Sequence, residues 1–412
     1  MKYGLIGEKL GHSFSKDIHE RLSDYGYEPH EIARENFDKF ARERDFLGIN
    51  VTIPYKQQII PYLDYIDDVA RDIGAVNTVV NVGGALRGYN TDFYGMDSLI
   101  SRLGIDISQK KVAILGTGGT SSTAMAVAKA RSAGEILKVS RSGRGGAVTY
   151  EELYEKHRDI EVIINTTPSG MFPNIFDSAI DISGFDRLIG VIDAIYNPLR
   201  TPLVMAARER GIAAEGGLYM LVGQAVRASE IFLGKEYPNG TVDGIYEELR
   251  AEKENIVLIG MPSSGKSTVG AILAKKLGRK FIDTDELVEK IAGSGIPDII
   301  STLGEKKFRD IEAEACAMVA MENSAVIATG GGAILREENV RALKENGRLY
   351  FIDRPIEKLI PTSSRPLSST REAIEKRYNE RYGIYTSVCD ARIDADTDAV
   401  TVAERILENF KK

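Results

Sequence analysis

A glycine-rich segment in the second half of the chain has the spacing of a phosphate-binding loop. Residues 260–270, "GMPSSGKSTVG", read Gly, four residues, Gly-Lys-Ser, and they follow the strand-like run "NIVLIG". In such a loop the backbone N–H groups surround nucleotide phosphates, the lysine reaches the β- and γ-phosphate oxygens, and the serine binds Mg²⁺. The spacing predicts a site for a nucleoside triphosphate with Mg²⁺. Its residues are Ser263, Ser264, Gly265, Lys266, Ser267 and Thr268.

A second glycine-rich turn, "GTGGTS", lies in the first half, between the apolar run "KVAIL" and a helix of small residues. Glycines at such a turn let the backbone approach a pyrophosphate, and the helix N-terminus supplies oriented N–H groups. The following run, "LKVSRSGR", places Ser140, Arg141 and Arg144 where NAD-binding folds have an acidic residue. An arginine there pairs with a 2′-phosphate, so NADP(H) is favoured, although Arg141 alone also fits an exposed loop charge. The turn comprises Gly116, Thr117, Gly118, Gly119, Thr120 and Ser121.

Short polar side chains follow several apolar runs near the start of the chain. Hydroxyl and amide groups of this kind hydrogen-bond small polyhydroxylated acids. Each also has a structural explanation, since Ser15 fits a helix cap, Asn77 and Asp92 fit turns, and Lys56 fits a solvated charge. The candidate set is Ser13, Ser15, Asn50, Thr52, Asn77 and Asp92.

The elements that position these residues alternate between β-rich runs and amphipathic stretches. Examples are "KYGLIG", "KVAILG" and "VIINTT" in the first half, and "NIVLIG" and "RLYFID" in the second. Strand, crossover helix and strand predict α/β domains with parallel sheets, in two systems separated near residues 250–255. In "KFIDTDELVEK", Asp283 and Asp285 are expected at a strand end facing the nucleotide, with an N-cap by Thr284 or Asp285 as the alternative.

Length and composition restrict the classes of protein that fit. With 412 residues, 43% apolar and 27% charged, the chain is expected to form two or three folded domains. A net charge of −7 argues against a nucleic-acid partner. Neither a signal peptide nor a run long enough to span a membrane is visible, so a cytoplasmic location without membrane contact is expected. Two cysteines without metal-ligand spacing make a structural zinc site improbable.

Over about residues 1–250 the sequence resembles shikimate dehydrogenase, because "HSFS", "NVTIPYK", "AVNT", "NTD", "NTTPSGM" and "GGLYMLVGQ" occur in that family's order. The resemblance implies a substrate domain at 1–97, completed by helices at about 222–250, and a Rossmann NADP-binding domain at 98–221. It also implies Lys56 and Asp92 as the catalytic pair. Further implied substrate contacts are Ser13, Ser15, Asn50, Thr52, Asn77, Asp92, Tyr196 and Gln224, and implied cofactor contacts include Ala194 and Gly217.

Over about residues 255–412 the sequence resembles shikimate kinase, through the phosphate-binding loop, "GEKKFRDIEAEA", "VIATGGGAIL", "SSRPLSS" and "NERYGIY". The resemblance implies a P-loop domain with a parallel sheet, in which Ser267 and Asp283 serve Mg²⁺. It implies that Arg365 lies in a lid over ATP, and that Lys266 and Asp285 are catalytic. The implied shikimate contacts are Asp285, Arg309, Gly331 and Arg381, with Arg377 as the alternative alignment for Arg381.

Together the two resemblances predict a bifunctional enzyme of aromatic amino acid and chorismate biosynthesis. NADPH would reduce 3-dehydroshikimate to shikimate, and ATP would phosphorylate shikimate to shikimate 3-phosphate. One alternative is a metabolite-sensing regulatory protein built from the same domains. Another is a quinate or shikimate dehydrogenase variant with a kinase domain, which would more naturally use NAD. The oligomeric state stays open, with a homodimer as one option.

Overall fold

The computed structural model describes residues 2–10, 14–22, 25–361 and 370–411. The chain divides into two compact units, Met1–Leu249 and Arg250–Lys412. Within the described residues the first unit holds a six-stranded and a five-stranded sheet, and the second holds one five-stranded sheet. No helix in these ranges is long and apolar enough to cross a membrane.

The first sheet has the strand order β2-β1-β3-β5-β6-β4. Its strands are β1 (Tyr3–Gly7), β2 (Tyr27–Glu31), β3 (Gly48–Val51), β4 (Tyr65–Ile66), β5 (Thr78–Val82) and β6 (Ala85–Tyr89). Strand β1 pairs in parallel with β2 and β3, whereas β5 runs antiparallel to both β3 and β6. This sheet is therefore mixed, whereas the alternation of strands and helices in the sequence indicated parallel sheets. A tight turn at Gly83 and Gly84, both with positive φ, allows β5 and β6 to form a hairpin.

The second sheet has the order β11-β10-β9-β7-β8, and all its pairs are parallel. Its strands are β7 (Lys111–Leu115), β8 (Glu135–Val139), β9 (Val162–Asn165), β10 (Gly190–Asp193) and β11 (Ala213–Glu215). From the central β7 the chain moves first to β8 on one side and then to β9 on the other. In such a sheet the crevice at the carboxyl end of the central strand is the usual ligand site.

Helices cover both sheets of the first unit and bury its apolar side chains. They are α1 (Ser15–Leu22), α2 (Arg34–Glu43), α3 (Tyr55–Gln58), α4 (Asp68–Ile73), α5 (Thr91–Arg102), α6 (Gly119–Ala130), α7 (Tyr150–Lys156), α8 (Pro202–Glu209), α9 (Leu218–Leu233) and α10 (Thr241–Lys253). Helices α5 and α9 pack closely because glycines face each other: a Cβ on Gly95 would meet the backbone of Gln224 at 3.1 Å. This packing brings the start of α5 next to Gln224.

The sheet of the second unit has the order β13-β14-β12-β15-β16 and is entirely parallel, as the sequence predicts. Its strands are β12 (Asn255–Ile259), β13 (Lys280–Asp283), β14 (Ala325–Ala328), β15 (Gly347–Asp353) and β16 (Ala391–Asp394). Its helices are α11 (Lys266–Leu277), α12 (Thr284–Ala292), α13 (Ile296–Ala320), α14 (Glu337–Asn346), α15 (Arg371–Val388) and α16 (Ala399–Phe410). Gly304, at φ 82° and ψ 163°, breaks α13 into two segments.

One buried carboxyl group in the second unit should make its stability depend on pH. Glu345 of α14 is 2% exposed, and its Oε2 has no hydrogen-bond partner among the described residues. Burial raises the pKa of Glu345 from 4.5 to about 8. The folded chain therefore holds this proton at a pH where the unfolded chain has lost it, and the free energy of unfolding must fall as pH rises from about 4.5 to about 8.

We expect Glu345→Gln to remove this pH dependence. In the wild type, the contribution of Glu345 to the free energy of unfolding should fall by at most about 1.4 kcal/mol per pH unit. The variant should resemble the wild type near pH 5 and exceed it in stability at pH 9. Alkylation of the buried Cys316 across a urea series, read by mass spectrometry, reports unfolding of this unit. Glu338→Gln, at an exposed position of the same helix, is the matched control. Parallel pH curves for wild type and Glu345→Gln would contradict the assignment.

Candidate active sites in the two units

A lysine and an aspartate form an ion pair where the first sheet meets α5. Lys56 lies in the short helix α3 that follows β3, and Asp92 lies in the first turn of α5. The Lys56 ammonium donates to Asp92 Oδ2 at 2.6 Å, and the two side chains are 23% and 16% exposed. The pair is thus shielded from bulk water while part of its surface stays open to a ligand. An ammonium held in this way can donate a proton to an oxygen placed beside it.

Buried amide and hydroxyl groups continue from this pair into the sheet. Tyr27 Oη donates to Asn50 Oδ1 at 2.7 Å, and Asn50 Nδ2 donates to Thr78 Oγ1 at 3.0 Å. Thr78 Oγ1 in turn donates to Asn77 Oδ1 at 3.1 Å. Asn50 and Asn77 are 5% and 3% exposed, so their orientations are fixed by these bonds.

The same network reaches the start of α5 and then α9. The Thr91 backbone N–H donates to Asn77 Oδ1 at 2.7 Å, and Thr91 Oγ1 donates to Gln224 Oε1 at 3.4 Å. Gln224 Nε2 donates to the Leu221 carbonyl at 3.0 Å. Since Asp92 directly follows Thr91, these bonds tie Asn50, Asn77, Gln224 and the ion pair into one connected group.

The other candidates of this group lie around it. Ser15 is the first residue of α1 and is buried, and Thr52 directly follows β3, where its N–H donates to the Ile6 carbonyl at 2.9 Å. The half-buried Tyr196 ring packs against Phe14, with the ring centroids 5.4 Å apart. Ser13 lies outside the described residues.

The glycine-rich turn of the second sheet fits a dinucleotide. Gly116 follows β7 with φ +107°, and a Cβ there would meet Thr166 Oγ1 at 2.8 Å, so only glycine fits. Helix α6 begins at Gly119, with Gly118 as its N-cap, and points backbone N–H groups at the turn. Ser121 Oγ is buried there without a hydrogen-bond partner among the described residues. At the end of β8, Arg141 is exposed, which suits a 2′-phosphate. Thr117 and Thr120 belong to the same turn, and Ser140 Oγ accepts from the Gly143 N–H at 3.1 Å.

A buried aspartate holds the neighbouring strand ends together. Asp193, at the end of β10, is fully buried; its Oδ1 accepts from Asn165 Nδ2 at 3.0 Å and its Oδ2 accepts from Thr201 Oγ1 at 2.7 Å. Burial raises the pKa of Asp193 to about 6, although these hydrogen bonds act in the opposite direction. Directly after it, Ala194 contacts Gly217, which is the N-cap of α9. The strand end that leads into Ala194, an implied cofactor contact, is therefore fixed by the Asp193 carboxyl group.

In the second unit the phosphate-binding loop closes around its own lysine. The Lys266 ammonium donates to the carbonyls of Gly260 and Met261, both at 2.9 Å, and the side chain is buried. Ser264 Oγ is buried without a hydrogen-bond partner among the described residues. Gly265, with φ +94°, is the N-cap of α11, so Lys266, Ser267 and Thr268 form its first turn. Ser263, with φ +66°, donates from Oγ to the Ile360 carbonyl at 2.8 Å.

The residues predicted to serve Mg²⁺ are in contact with each other. Ser267 Oγ donates to Asp283 Oδ2 at 2.6 Å. Asp283 Oδ1 accepts from the Asp285 backbone N–H at 3.0 Å, which makes Asp283 the N-cap of α12. The alternative cap by Thr284 or Asp285 is therefore wrong. A hydroxyl and a carboxylate side by side beneath the loop are oxygen donors of the kind that Mg²⁺ accepts together with water and phosphate.

Three consecutive glycines after β14 let charged side chains approach the backbone. A Cβ on Gly330 would meet Asp285 Oδ1 at 2.6 Å and Glu312 Oε1 at 2.7 Å, and Gly332 lies directly against the Arg309 guanidinium. Arg309 donates from Nη1 to Glu312 Oε2 at 2.7 Å. Glu312 is 1% exposed. Two carboxyl groups and a guanidinium therefore lie close to the backbone of this glycine segment.

A second guanidinium reaches the middle glycine. Arg381, 5% exposed, donates from Nη1 to the Gly331 carbonyl at 3.0 Å, and Tyr385 Oη donates to the same oxygen at 2.5 Å. Burial lowers the pKa of Arg381, and the positive charges of Arg309 and Arg377 lower it further. Arg377 donates instead to the Ala373 carbonyl of its own helix at 3.4 Å. Two partly desolvated cations that repel each other favour an anion between them. Arg365 lies outside the described residues.

Several residues of these sites were not singled out in the sequence. Tyr27, Thr78 and Thr91 belong to the network around Asn50, and Glu312 belongs to the glycine cluster. Thr78 and Thr91 each follow an asparagine in the quoted motifs "AVNT" and "NTD", and Glu312 lies three residues after Arg309 in "FRDIE". The repeated Asn-Thr pair was an available signal for the threonines.

The first unit has the fold and glycine-rich turn of a dinucleotide-binding oxidoreductase. The second unit has the fold and phosphate-binding loop of a P-loop phosphotransferase. Comparison with protein families identifies a shikimate dehydrogenase substrate binding domain at residues 5–79 and shikimate kinase at residues 262–411. Shikimate dehydrogenase (NADP(+)) of Clostridium beijerinckii is 37% identical over 261 residues, covering 59% of this chain and 96% of the relative. The relative of the same name from Halothermothrix orenii is 38% identical, covering 56% and 90%.

Solved structures agree with these relatives. Shikimate dehydrogenase 1 of Peptoclostridium difficile matches with a TM-score of 0.56 at 37% identity, covering 60% of this chain and 98% of that one. A chorismate mutase/shikimate 5-dehydrogenase fusion protein from Clostridium acetobutylicum matches with a TM-score of 0.57 at 36% identity, covering 60% and 96%. The chain therefore belongs to the shikimate dehydrogenase family, and it carries a shikimate kinase domain after the dehydrogenase.

Proposed function

We propose that this chain catalyses two consecutive reactions, the NADPH-dependent reduction of 3-dehydroshikimate to shikimate and the ATP-dependent phosphorylation of shikimate to shikimate 3-phosphate. The observation that carries the proposal is that two families matched in one chain take the same compound, the first as product and the second as substrate. Each unit also holds a polar site beside a nucleotide-binding loop. The chain is then a bifunctional enzyme of chorismate and aromatic amino acid biosynthesis.

In the reduction, the ketone oxygen of the substrate gains negative charge as a hydride reaches the carbonyl carbon. Lys56 donates a proton to this oxygen, and Asp92 keeps the ammonium in place and stabilises its positive charge until the transfer. Asn50, Asn77 and Gln224, whose orientations are fixed by the buried network, bind the substrate hydroxyls. Ser13, Ser15, Thr52 and Tyr196 complete the substrate contacts.

NADPH supplies the hydride when it is bound at the second sheet. Gly116 and the N-terminus of α6 would hold its pyrophosphate, Arg141 would pair with its 2′-phosphate, and Ala194 and Gly217 would be further cofactor contacts. The unpartnered Ser121 Oγ at the helix start supports this placement, since a phosphate oxygen would accept its hydrogen bond.

In the phosphorylation, ATP supplies the phosphoryl group when bound at the loop. Lys266 and the loop N–H groups hold the phosphates, and Ser267 and Asp283 hold Mg²⁺. Arg309 and Arg381 bind the carboxylate of shikimate, and Asp285 orients the attacking hydroxyl and accepts its proton. Arg365 belongs to the lid in this proposal.

Nothing in the described part of the chain favours a metabolite sensor, since Lys56, Asp92, Lys266 and Asp285 are all retained. The exposed Arg141 favours NADP(H) over the NAD expected of a quinate variant. The absence of a nucleic-acid partner fits the net charge of −7, and a cytoplasmic location belongs to the same proposal.

The direct test is one reaction containing purified protein, 3-dehydroshikimate and NADPH, followed by addition of ATP and Mg²⁺. Loss of NADPH absorbance followed by formation of shikimate 3-phosphate, identified by mass, supports both activities. If shikimate accumulates without being phosphorylated, the proposed kinase activity is wrong. If neither reaction occurs, both proposed activities are wrong.

Each lysine should serve one reaction only. We expect Lys56→Ala to lower kcat for 3-dehydroshikimate reduction by about 10²- to 10⁴-fold, because the proton donor is lost. Shikimate phosphorylation by the same variant should stay at the wild-type rate. Lys266→Ala should give the reverse pattern, with phosphorylation lost and reduction retained, so each variant is the control for the other. Loss of both activities in either variant would contradict two independent sites.

The position of the carboxylate contact in α15 is tested by two arginine variants. Arg381→Lys keeps the charge but loses the fork of N–H donors, so KM for shikimate should rise about ten- to a hundredfold. Arg377→Lys, one helical turn earlier, is the matched control and should change KM by less than about threefold. Steady-state phosphorylation kinetics measure both. A larger effect at Arg377 would move the assignment to that residue.

A further inference from the structure

A buried histidine lies behind the substrate network of the first unit, in a position that no proposed contact uses. His19, on α1, has no exposed surface, and its ring stacks on Tyr27 with centroids 3.9 Å apart and planes inclined by 6°. Tyr27 is the residue whose hydroxyl donates to Asn50 Oδ1 at 2.7 Å. The imidazole thus contacts Tyr27, which in turn contacts Asn50, a proposed substrate contact.

The ring of His19 is itself fixed from its other side. Its Nδ1 is 2.6 Å from Tyr25 Oη, which donates to Ser229 Oγ at 2.9 Å, and Ser229 Oγ lies 2.8 Å from Tyr237 Oη. Ser229 is fully buried on α9. This chain of hydrogen bonds anchors the imidazole to α9, the helix that also carries Gln224.

The second ring nitrogen, Nε2, takes no part in this chain of hydrogen bonds. Nε2 of His19 is buried and has no partner among the described residues, while the Asn50 side chain lies close enough to influence the titration of the ring. Burial lowers the pKa of His19 to about 3, an effect that the Asn50 side chain partly opposes. The imidazole is therefore neutral at physiological pH, and it packs against the network without adding a charge.

We propose that His19 is a positioning residue for 3-dehydroshikimate binding, which it serves by holding Tyr27 so that the Tyr27 hydroxyl fixes the amide orientation of Asn50. This inference rests on the proposed function, because it takes Asn50 as a substrate contact. An asparagine amide presents a donor at one end and an acceptor at the other. With Oδ1 held by Tyr27 and Nδ2 directed to Thr78, the amide offers the substrate one defined pattern; a rotated amide offers the wrong one.

The test compares His19→Ala with Tyr27→Phe in steady-state reduction. Each variant should raise KM for 3-dehydroshikimate by about three- to tenfold, the effect of one misplaced hydrogen bond, and change kcat and KM for NADPH by less than about twofold. Because both act through the same hydroxyl, the double variant should be no worse than the single ones. His19→Phe, which restores a flat ring against Tyr27, should return KM close to the wild-type value.

Several controls separate positioning from loss of structure. His30→Ala changes an exposed histidine of β2 in the same unit and should leave all constants unchanged. Phosphorylation of shikimate by every variant reports whether the second unit remains intact. His19→Phe and Tyr27→Phe keep the inference testable if His19→Ala fails to fold. The pH profile of kcat/KM should be the same for His19→Phe and the wild type, because a neutral buried ring transfers no proton.

Several outcomes would overturn the inference. One is an unchanged KM in Tyr27→Phe, and another is a double variant whose effects on KM multiply. A third is a fall in kcat together with equal changes in KM for both substrates. The last is a pH profile of His19→Phe that lacks one of the limbs seen in the wild type. If the wild type itself does not reduce 3-dehydroshikimate, the proposed function fails first. If the wild type is active and the variants keep its KM, the positioning role alone is wrong.

Discussion

Polar groups buried where the carboxyl end of β3 meets the amino end of β5 must find hydrogen-bond partners, and this constraint organises the first unit. Asn50 at the end of β3 and Asn77 at the start of β5 are buried, so each would cost stability if left unpaired. Their partners, Thr78 and Thr91, come from neighbouring elements, and satisfying them places the N-terminus of α5 against the sheet. That placement fixes the position of Asp92 in the first turn of α5, and the hydrogen bond to Asp92 in turn fixes the ammonium group of Lys56. The geometry proposed to bind substrate is thus the geometry that the buried amides require for folding.

The second unit is subject to a different constraint, because several charged side chains crowd around a backbone segment made only of glycines. Asp285 and Glu312 converge on Gly330, and Arg309 on Gly332, where any side chain would collide with them. Glu312 neutralises part of the charge of Arg309, whereas Arg381 is held by carbonyl and hydroxyl groups around Gly331. The cluster consequently retains cationic character on one side and anionic character on the other. A ligand with a carboxylate at one end and hydroxyls at the other is complementary to this distribution.

Local signals in the sequence predicted the nucleotide loops well, because a glycine-rich turn between a strand and a helix is set by neighbouring residues. The strands β7 and β12 and the helices after them lie where the pattern placed them. The β5–β6 hairpin was missed, although Gly83-Gly84 between two apolar runs is a hairpin signal. Glu312 also approaches Gly330 of a distant loop, and His19 of a helix stacks on Tyr27 of a strand, so spacing alone does not identify either residue. Arg377 and Arg381 are one turn apart on one helix, and only the position of Gly331 distinguishes them.

The two lysines proposed to act in catalysis differ in their partners, and the difference matches what each proposed reaction requires of an ammonium group. Lys56 is paired with a carboxylate, which holds its ammonium group in one orientation from which it can donate a proton to a neighbouring oxygen that gains negative charge. Lys266 is held by two backbone carbonyls, which carry no net charge and therefore leave the positive charge of the ammonium available to phosphate oxygens. Exchanging the two environments would impair both reactions: a carboxylate beside Lys266 would repel the phosphates, and carbonyl contacts at Lys56 would supply no counter-charge to orient the proton transfer. In this proposal, the type of hydrogen-bond partner separates a lysine that gives up a proton from one that keeps it.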